Sequence, residues 1–171
     1  KDCLTCPKSG RCDLQDMSVR LGIREIPGQE FAEMSTYKKD FSPSIIRDVD
    51  KCIMCRRCET MCNQVQTVGA LSAVNRGFMA VVAPAFEQDL VKSPCTYCGQ
   101  CVAVCPTGAL TEVAHTAKVI RALADPTKTV MVQTAPAVRA ALGEEFGLEP
   151  GTLVTGKMVS ALRKIGFNYI F

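Results

Sequence analysis

A chain of 171 residues with 47% apolar side chains has material for one ordinary domain or two small ones. Its formal charge of +3 counts every thiol as neutral, so metal-bound thiolates would bring it to neutrality or below, and no nucleic-acid binding is expected from it. Eleven cysteines are too many for an intracellular chain unless they bind something, and their spacing is not that of a small secreted disulfide scaffold.

The chain opens on Cys3, Cys6 and Cys12, in the pattern C-x2-C-x5-C. Three thiolates fall one ligand short of a four-coordinate metal or a cubane, and every other cysteine belongs to a second pattern. Zinc completed by an outside ligand is the alternative here. Leu14, Met17 and Leu21 then recur at helical spacing, and Pro27-Gly28 is expected to stop that helix. Nothing at Lys1 resembles a signal peptide. Residues 28–43 are mixed and polar and read as a surface connector. Ile45-Ile46-Arg47-Asp48-Val49 has the composition of a strand leading into the cysteines that follow.

Those cysteines form a duplicated ladder: Cys52, Cys55, Cys58 and Cys62, then Cys95, Cys98, Cys101 and Cys105. Each reads C-x2-C-x2-C-x3-C, in which three thiolates of one tight loop reach three iron corners of a [4Fe–4S] cubane. The fourth lies on the helix leaving the loop, and in two-cluster ferredoxins it serves the other cluster. One centre is therefore assigned to Cys52, Cys55, Cys58 and Cys105, and the second to Cys95, Cys98, Cys101 and Cys62. Zinc prefers paired hooks separated by a longer insert. Pro106 follows Cys105 as in bacterial ferredoxins, whereas Asn63 follows Cys62. Lys51, Arg56 and Arg57 crowd the first ladder; such residues are ordinarily solvated, and near a cluster they would raise its potential or guide an acidic partner.

The repeat continues past its cysteines, with Gly69-Ala70-Leu71 after the first ladder and Gly108-Ala109-Leu110 after the second, the first half carrying an insert. Residues 78–82 read as another strand. The longest apolar run, 78–86, contains Pro84 and is far shorter than the roughly 20 residues of a membrane span, so no span is expected. Beyond residue 112 come a short helix from His115, a β-rich run at 129–133, helices at 136–146 and 156–165, and an apolar run at 168–171. His115 reads as an ordinary surface or capping residue. The fold class is α+β: a small iron–sulfur motif with its helix (1–27), a connector (28–43), a bacterial-type two-[4Fe–4S] ferredoxin-like domain (44–112), and the opening strand-helix-helix-strand of an α/β domain (113–171). Two short strands cannot make a covered sheet, so residues 128–171 are expected to need more chain or a partner.

The sequence of residues 134–147, followed by Thr155-Gly156-Lys157 and Ala161-Leu162-Arg163-Lys164-Ile165-Gly166-Phe167, resembles the catalytic subunit of [FeFe] hydrogenases. It is similar to the segment joining their accessory clusters to the hydrogen-activating domain, and the resemblance covers essentially the whole chain. The resemblance implies a third [4Fe–4S] cluster at Cys3, Cys6 and Cys12, whose fourth ligand in the family is a histidine four residues ahead of the first cysteine. That position precedes Lys1. It also implies that Ala135, Pro136 and Ala137 form a loop against the family's H-cluster, a cubane joined to a two-iron unit with carbonyl and cyanide ligands. Pro136 suits the first turn of a helix, and Ala135 leaves that helix without a side-chain cap. Many members carry serine where this chain has Ala137. The family's H-cluster cysteine motifs lie downstream of the residues given, so this stretch alone is not expected to be catalytic.

The implied function is electron relay in an [FeFe] hydrogenase, carrying single electrons between a redox partner and the H-cluster, where H2 and protons interconvert. Implied partners are ferredoxin or a flavin-containing NAD(P)H-binding subunit, within a cytoplasmic hetero-oligomer of anaerobes, including electron-bifurcating types. The rival readings are a cluster-bearing segment of an NADH or formate dehydrogenase large subunit, a non-catalytic hydrogenase-like iron–sulfur assembly protein, and a freestanding ferredoxin.

Overall fold

The computed structural model describes residues 3–25 and 40–171 and divides into two compact units, residues 1–113 and 114–171. In the first unit a 3-10 turn, Cys3–Thr5, precedes helix α1, Asp13–Arg20. Asp13 and Asp16 in the first turn and Arg20 in the last oppose the helix dipole. The helix ends at Leu21, ahead of the expected stop, because Gly22 (φ +63°) supplies the left-handed residue that closes it. Pro27-Gly28 and most of the connector lie outside the described residues.

The ferredoxin-like part is built from two small antiparallel sheets. Strands β1 (Asp40–Phe41), β2 (Ile45–Arg47) and β5 (Leu110–Glu112) are ordered β1-β2-β5, and β3 (Ser72–Val74) pairs with β4 (Val81–Ala83). Strand β2 is shorter than the sequence implied. After Arg47 the Asp48 amide donates to the Ala109 carbonyl and the chain turns into a 3-10 segment, Val49–Lys51. Similarly, the run from Phe78 begins as a 3-10 turn, Gly77–Met79, before β4.

This topology matters for the cysteines. The strand after the second ladder, β5, pairs with the strand before the first, through Ile45↔Glu112 and Arg47↔Leu110. The strand after the first ladder, β3, pairs with the strand just before the second. Each ladder's end is thereby drawn toward the start of the other. Ile45, Leu71, Val82, Leu90, Ala109 and Leu110 form the core between them, joined by Cys101 and Cys105.

The second unit holds α4 (Thr116–Leu123), β6 (Met131–Val132), α5 (Pro136–Glu145), α6 (Thr155–Ile165) and β7 (Tyr169–Ile170). Strands β6 and β7 pair in parallel, with Met131 opposite Tyr169. Parallel pairs need a crossover, and α5 with α6 provides it. Val154 and Met158 are buried, but Met131, Phe146, Leu153, Ile165 and Phe171 are exposed, because a two-stranded sheet has too little surface to cover both helices. Among the described residues no helix is long and apolar enough to cross a membrane.

Leu90, 1% exposed, is among the largest fully buried side chains of the first unit. Leu90→Ala should cost about 2–5 kcal/mol, read as a lower denaturant midpoint for the cluster-loaded protein.

Candidate metal centres

The two ladders adopt the same backbone. Met54 and Tyr97, two residues past the first cysteine of each ladder, lie in the left-handed region at φ +54° and +55°; Arg56 and Gly99, one past the second, lie there at +59° and +76°. These turns fold the loop back on itself, so that the Met54 amide meets Cys52 Sγ at 3.3 Å and the Tyr97 amide meets Cys95 Sγ at 3.4 Å. A short helix then follows each loop: α2 (Arg57–Thr60) in the first half and α3 (Gln100–Ala103) in the second. After α2 the chain continues as a π-helical turn, Met61–Val65, which takes up the extra residues of the first half. Asn63 stands where the second half has Pro106. It permits that continuation, and its side-chain amide donates to the Leu71 carbonyl at 3.0 Å.

Two cavities lie in this framework. The first is lined by Cys52, Cys55 and Cys58 of one ladder and Cys105 of the other, with Arg47, Leu71 and Thr107. Cys95, Cys98 and Cys101, together with Cys62, Leu71 and Leu90, line the second. Leu71 contributes to both walls, so the cavities are neighbours. Among the described residues no three His, Cys, Asp or Glu side chains converge as closely as a single ion requires. Four thiols line each cavity, which matches in number and kind the four corners of a cubane.

The electrostatics fit a cationic guest. Burial, followed by the charges of Cys52 and Cys105, pushes the Cys58 thiol up to about 12. Burial and the charges of Cys95, Cys98 and Cys62 push Cys101 up to about 11. Burial likewise raises Cys95. Crowded thiolates beside an apolar wall repel one another, so a bound metal would supply the energy that holds them deprotonated, and its binding would release protons.

The three cations at the first ladder are partnered. Lys51, expected at the solvated surface, is only 8% exposed, and its ammonium lies 3.3 Å from Asp48, which is buried too. The Lys51 carbonyl accepts from Thr107 Oγ1 at 2.8 Å, tying this turn to the Cys105 loop. Arg56 grips the Glu59 carboxylate through Nε and Nη2, which holds Glu59 below the usual carboxylate range. Arg57 reaches Asp13 of α1 at 3.4 Å.

The N-terminal cysteines sit against this same loop. The Asp13 amide donates to the Pro106 carbonyl at 3.0 Å. At Gly108 a Cβ would stand 2.4 Å from Cys6 Sγ, so only glycine admits the approach. Its repeat partner Gly69 has open space around it and is needed instead for its φ of +70°. One repeated letter thus has two causes, which no sequence pattern separates. Cys3 is exposed, and Cys6 and Cys12 are partly covered.

His115 is exposed at the cap position of α4, without a side-chain capping bond. In the second unit Ala135 is extended (φ −73°, ψ 140°) and Pro136 opens α5 directly after β6. No side chain caps that helix, and Ala135, Pro136 and Ala137 are all exposed.

The fold and the paired cavities define a ferredoxin-like iron–sulfur protein. Residues 42–111 match the ferredoxin-like domain of NADH-quinone oxidoreductase subunit 3, and residues 1–27 match the NADH-ubiquinone oxidoreductase-G iron–sulfur binding region. Residues 128–171 match the C-terminal domain of the iron-only hydrogenase large subunit. The chain is 67% identical over its full length to the NADP-reducing hydrogenase subunit HndD of Solidesulfovibrio fructosivorans, of which it covers 29%. It is 32% identical, over 99% of its length, to iron hydrogenase 1 of Clostridium pasteurianum, again covering 29%. A crystal structure of an NAD+-reducing [NiFe]-hydrogenase in the H2-reduced state superposes with a TM-score of 0.56 at 25% identity, over 66% of this chain and 47% of that one. Over its full length the chain is similar to iron-only hydrogenase large subunits, and it spans less than a third of the curated relatives it matches.

Gly108→Ala should detach the N-terminal motif, making residues 3–25 protease-sensitive while the rest of the first unit stays resistant. Gly69→Ala should cost only backbone strain of about 1 kcal/mol and leave that motif protected.

Proposed function

We propose that this chain is the electron-relay segment of an iron-only hydrogenase, holding two [4Fe–4S] clusters, one on Cys52, Cys55, Cys58 and Cys105 and one on Cys95, Cys98, Cys101 and Cys62. The observation that carries this reading is the lining of the two cavities: each collects three thiols from one ladder and one from the other, and Leu71 lines both. Two cubanes held there would accept and release electrons singly. The chain's own residues keep water from the apolar walls, orient the thiolates through left-handed turns, and donate the Met54 and Tyr97 amides to sulfur.

Cys3, Cys6 and Cys12 are assigned a third [4Fe–4S] cluster whose fourth ligand is not among these residues. Its support is the match of residues 1–27 to an iron–sulfur region and the docking of Cys6 on the Cys105 loop. Residues 113–171 are read as the opening of the domain that holds the H-cluster, with Ala135, Pro136 and Ala137 facing it. A helix start without a side-chain cap leaves backbone amides for an anionic ligand such as cyanide. The exposed apolar side chains of this unit are what further chain would cover.

Electrons would be exchanged with ferredoxin or with a flavin-bearing NAD(P)H-binding subunit in a cytoplasmic hetero-oligomer. The curated relative named as an NADP-reducing hydrogenase subunit supports the subunit arrangement. An NADH dehydrogenase segment accounts for the matches of residues 1–27 and 42–111 but not for that of residues 128–171.

In the full subunit carrying this segment, the accessory clusters should contribute about twelve iron atoms. Cys105→Ala should abolish the paramagnetic signal of the cluster on Cys52, Cys55 and Cys58, and Cys62→Ala that of the other. Zinc in place of iron, or each variant silencing the cluster of its own ladder, would overturn the reading.

A further inference from the structure

Arg47 and Asp40 form a buried ion pair that none of the cluster ligands requires. They face each other across β1 and β2, with Arg47 Nε 3.4 Å from Asp40 Oδ2, and are 9% and 2% exposed. The pair is oriented with respect to the two cavities. Arg47 lines the cavity of Cys52, Cys55, Cys58 and Cys105, and its Nη1 points to the carbonyl of Val82 in the same wall at 3.5 Å. At the other end, Asp40 Oδ2 accepts from the backbone amide of Leu90 at 2.8 Å, and Leu90 lines the cavity of Cys95, Cys98, Cys101 and Cys62.

We propose that this pair is a fixed electrostatic bias between the two clusters, raising the potential of the one beside Arg47 relative to the one beside Asp40. The inference rests on the assignment of the two quartets given above. Reduction adds one electron, and so one negative charge, to a cluster. A guanidinium in the wall stabilises that added charge, a nearby carboxylate opposes it, and burial keeps both effects from being screened. Because the two charges cancel at distance, the pair acts on the difference between the clusters more than on their mean. Arg47 and Asp40 are positioning residues in this sense: they touch no substrate and decide on which cluster a single electron rests.

The test is a redox titration of the full subunit followed by low-temperature paramagnetic resonance, the two signals being assigned with Cys55→Ser and Cys98→Ser. The quantity read is the potential of the Cys52 cluster minus that of the Cys95 cluster. Arg47→Gln should lower it, mainly by moving the first potential down. Asp40→Asn should lower it too, mainly by moving the second potential up. Arg47→Lys, which keeps the charge, should leave it close to the parent value. Should Arg47→Gln fail to retain its clusters, Asp40→Asn reads the same difference from the other end. An unchanged or increased difference in a variant that keeps both clusters overturns the proposal while leaving the cluster assignment standing. A shift in Arg47→Lys as large as in Arg47→Gln would overturn it too, by tracing the effect to packing. Absence of two cubane signals in the parent subunit would remove both readings.

Discussion

Gathering thiols in two groups of four, most of them partly or fully buried, is what the first unit is arranged around. Such groups resist ionisation, as the raised Cys58 and Cys101 show, and four thiolates in an apolar wall repel one another. The chain assembles them nonetheless by pairing β5 with β2 and β3 with β4, which carries Cys105 to the first loop and Cys62 to the second. Neither half can close its cavity without the other. Folding of the sheets and completion of the cavities are therefore one event, and a guest that neutralises the thiolates stabilises both.

The same constraint governs the loops. Left-handed residues at Met54 and Tyr97, and at Arg56 and Gly99, turn three cysteines of each ladder toward one centre. Gly99 adopts that conformation freely, whereas Arg56 does so with its side chain held by Glu59. The two halves are thus alike in backbone and unlike in the residues that achieve it. The insert before Gly69, accommodated as a π-helical turn, is a second such difference.

Around the first cavity the cations pair with carboxylates of the chain itself. Lys51 is buried against Asp48, Arg57 meets Asp13 of the N-terminal helix, and Arg47 meets Asp40. These pairs join the N-terminal motif, the turn before Cys52 and the strand β1 to the wall of one site. In the second unit Lys128 pairs with Asp125 near the surface; there the sheet is two strands wide, and much of the unit's apolar surface faces outward.

What the sequence determined is what depends on short separations along the chain. Ladder spacing, the turn at Gly108, the proline opening α5 and the glycines closing α5 and α6 are all local signals, since ligand reach and backbone conformation are decided within a few residues. Strand ends were less legible: the Asp48 amide still meets the Ala109 carbonyl in register, but the Asp48 carbonyl accepts from Lys51 as the chain turns into the 3-10 segment Val49–Lys51, which ends β2. The tertiary structure alone decided that Lys51 is buried, that Gly108 is small for the sake of Cys6, and that Arg47 and Asp40 oppose each other between the two cavities. Each follows from strand register and from contacts between residues far apart in the chain, and a charge or a glycine carries no mark in sequence of the partner that folding will bring to it.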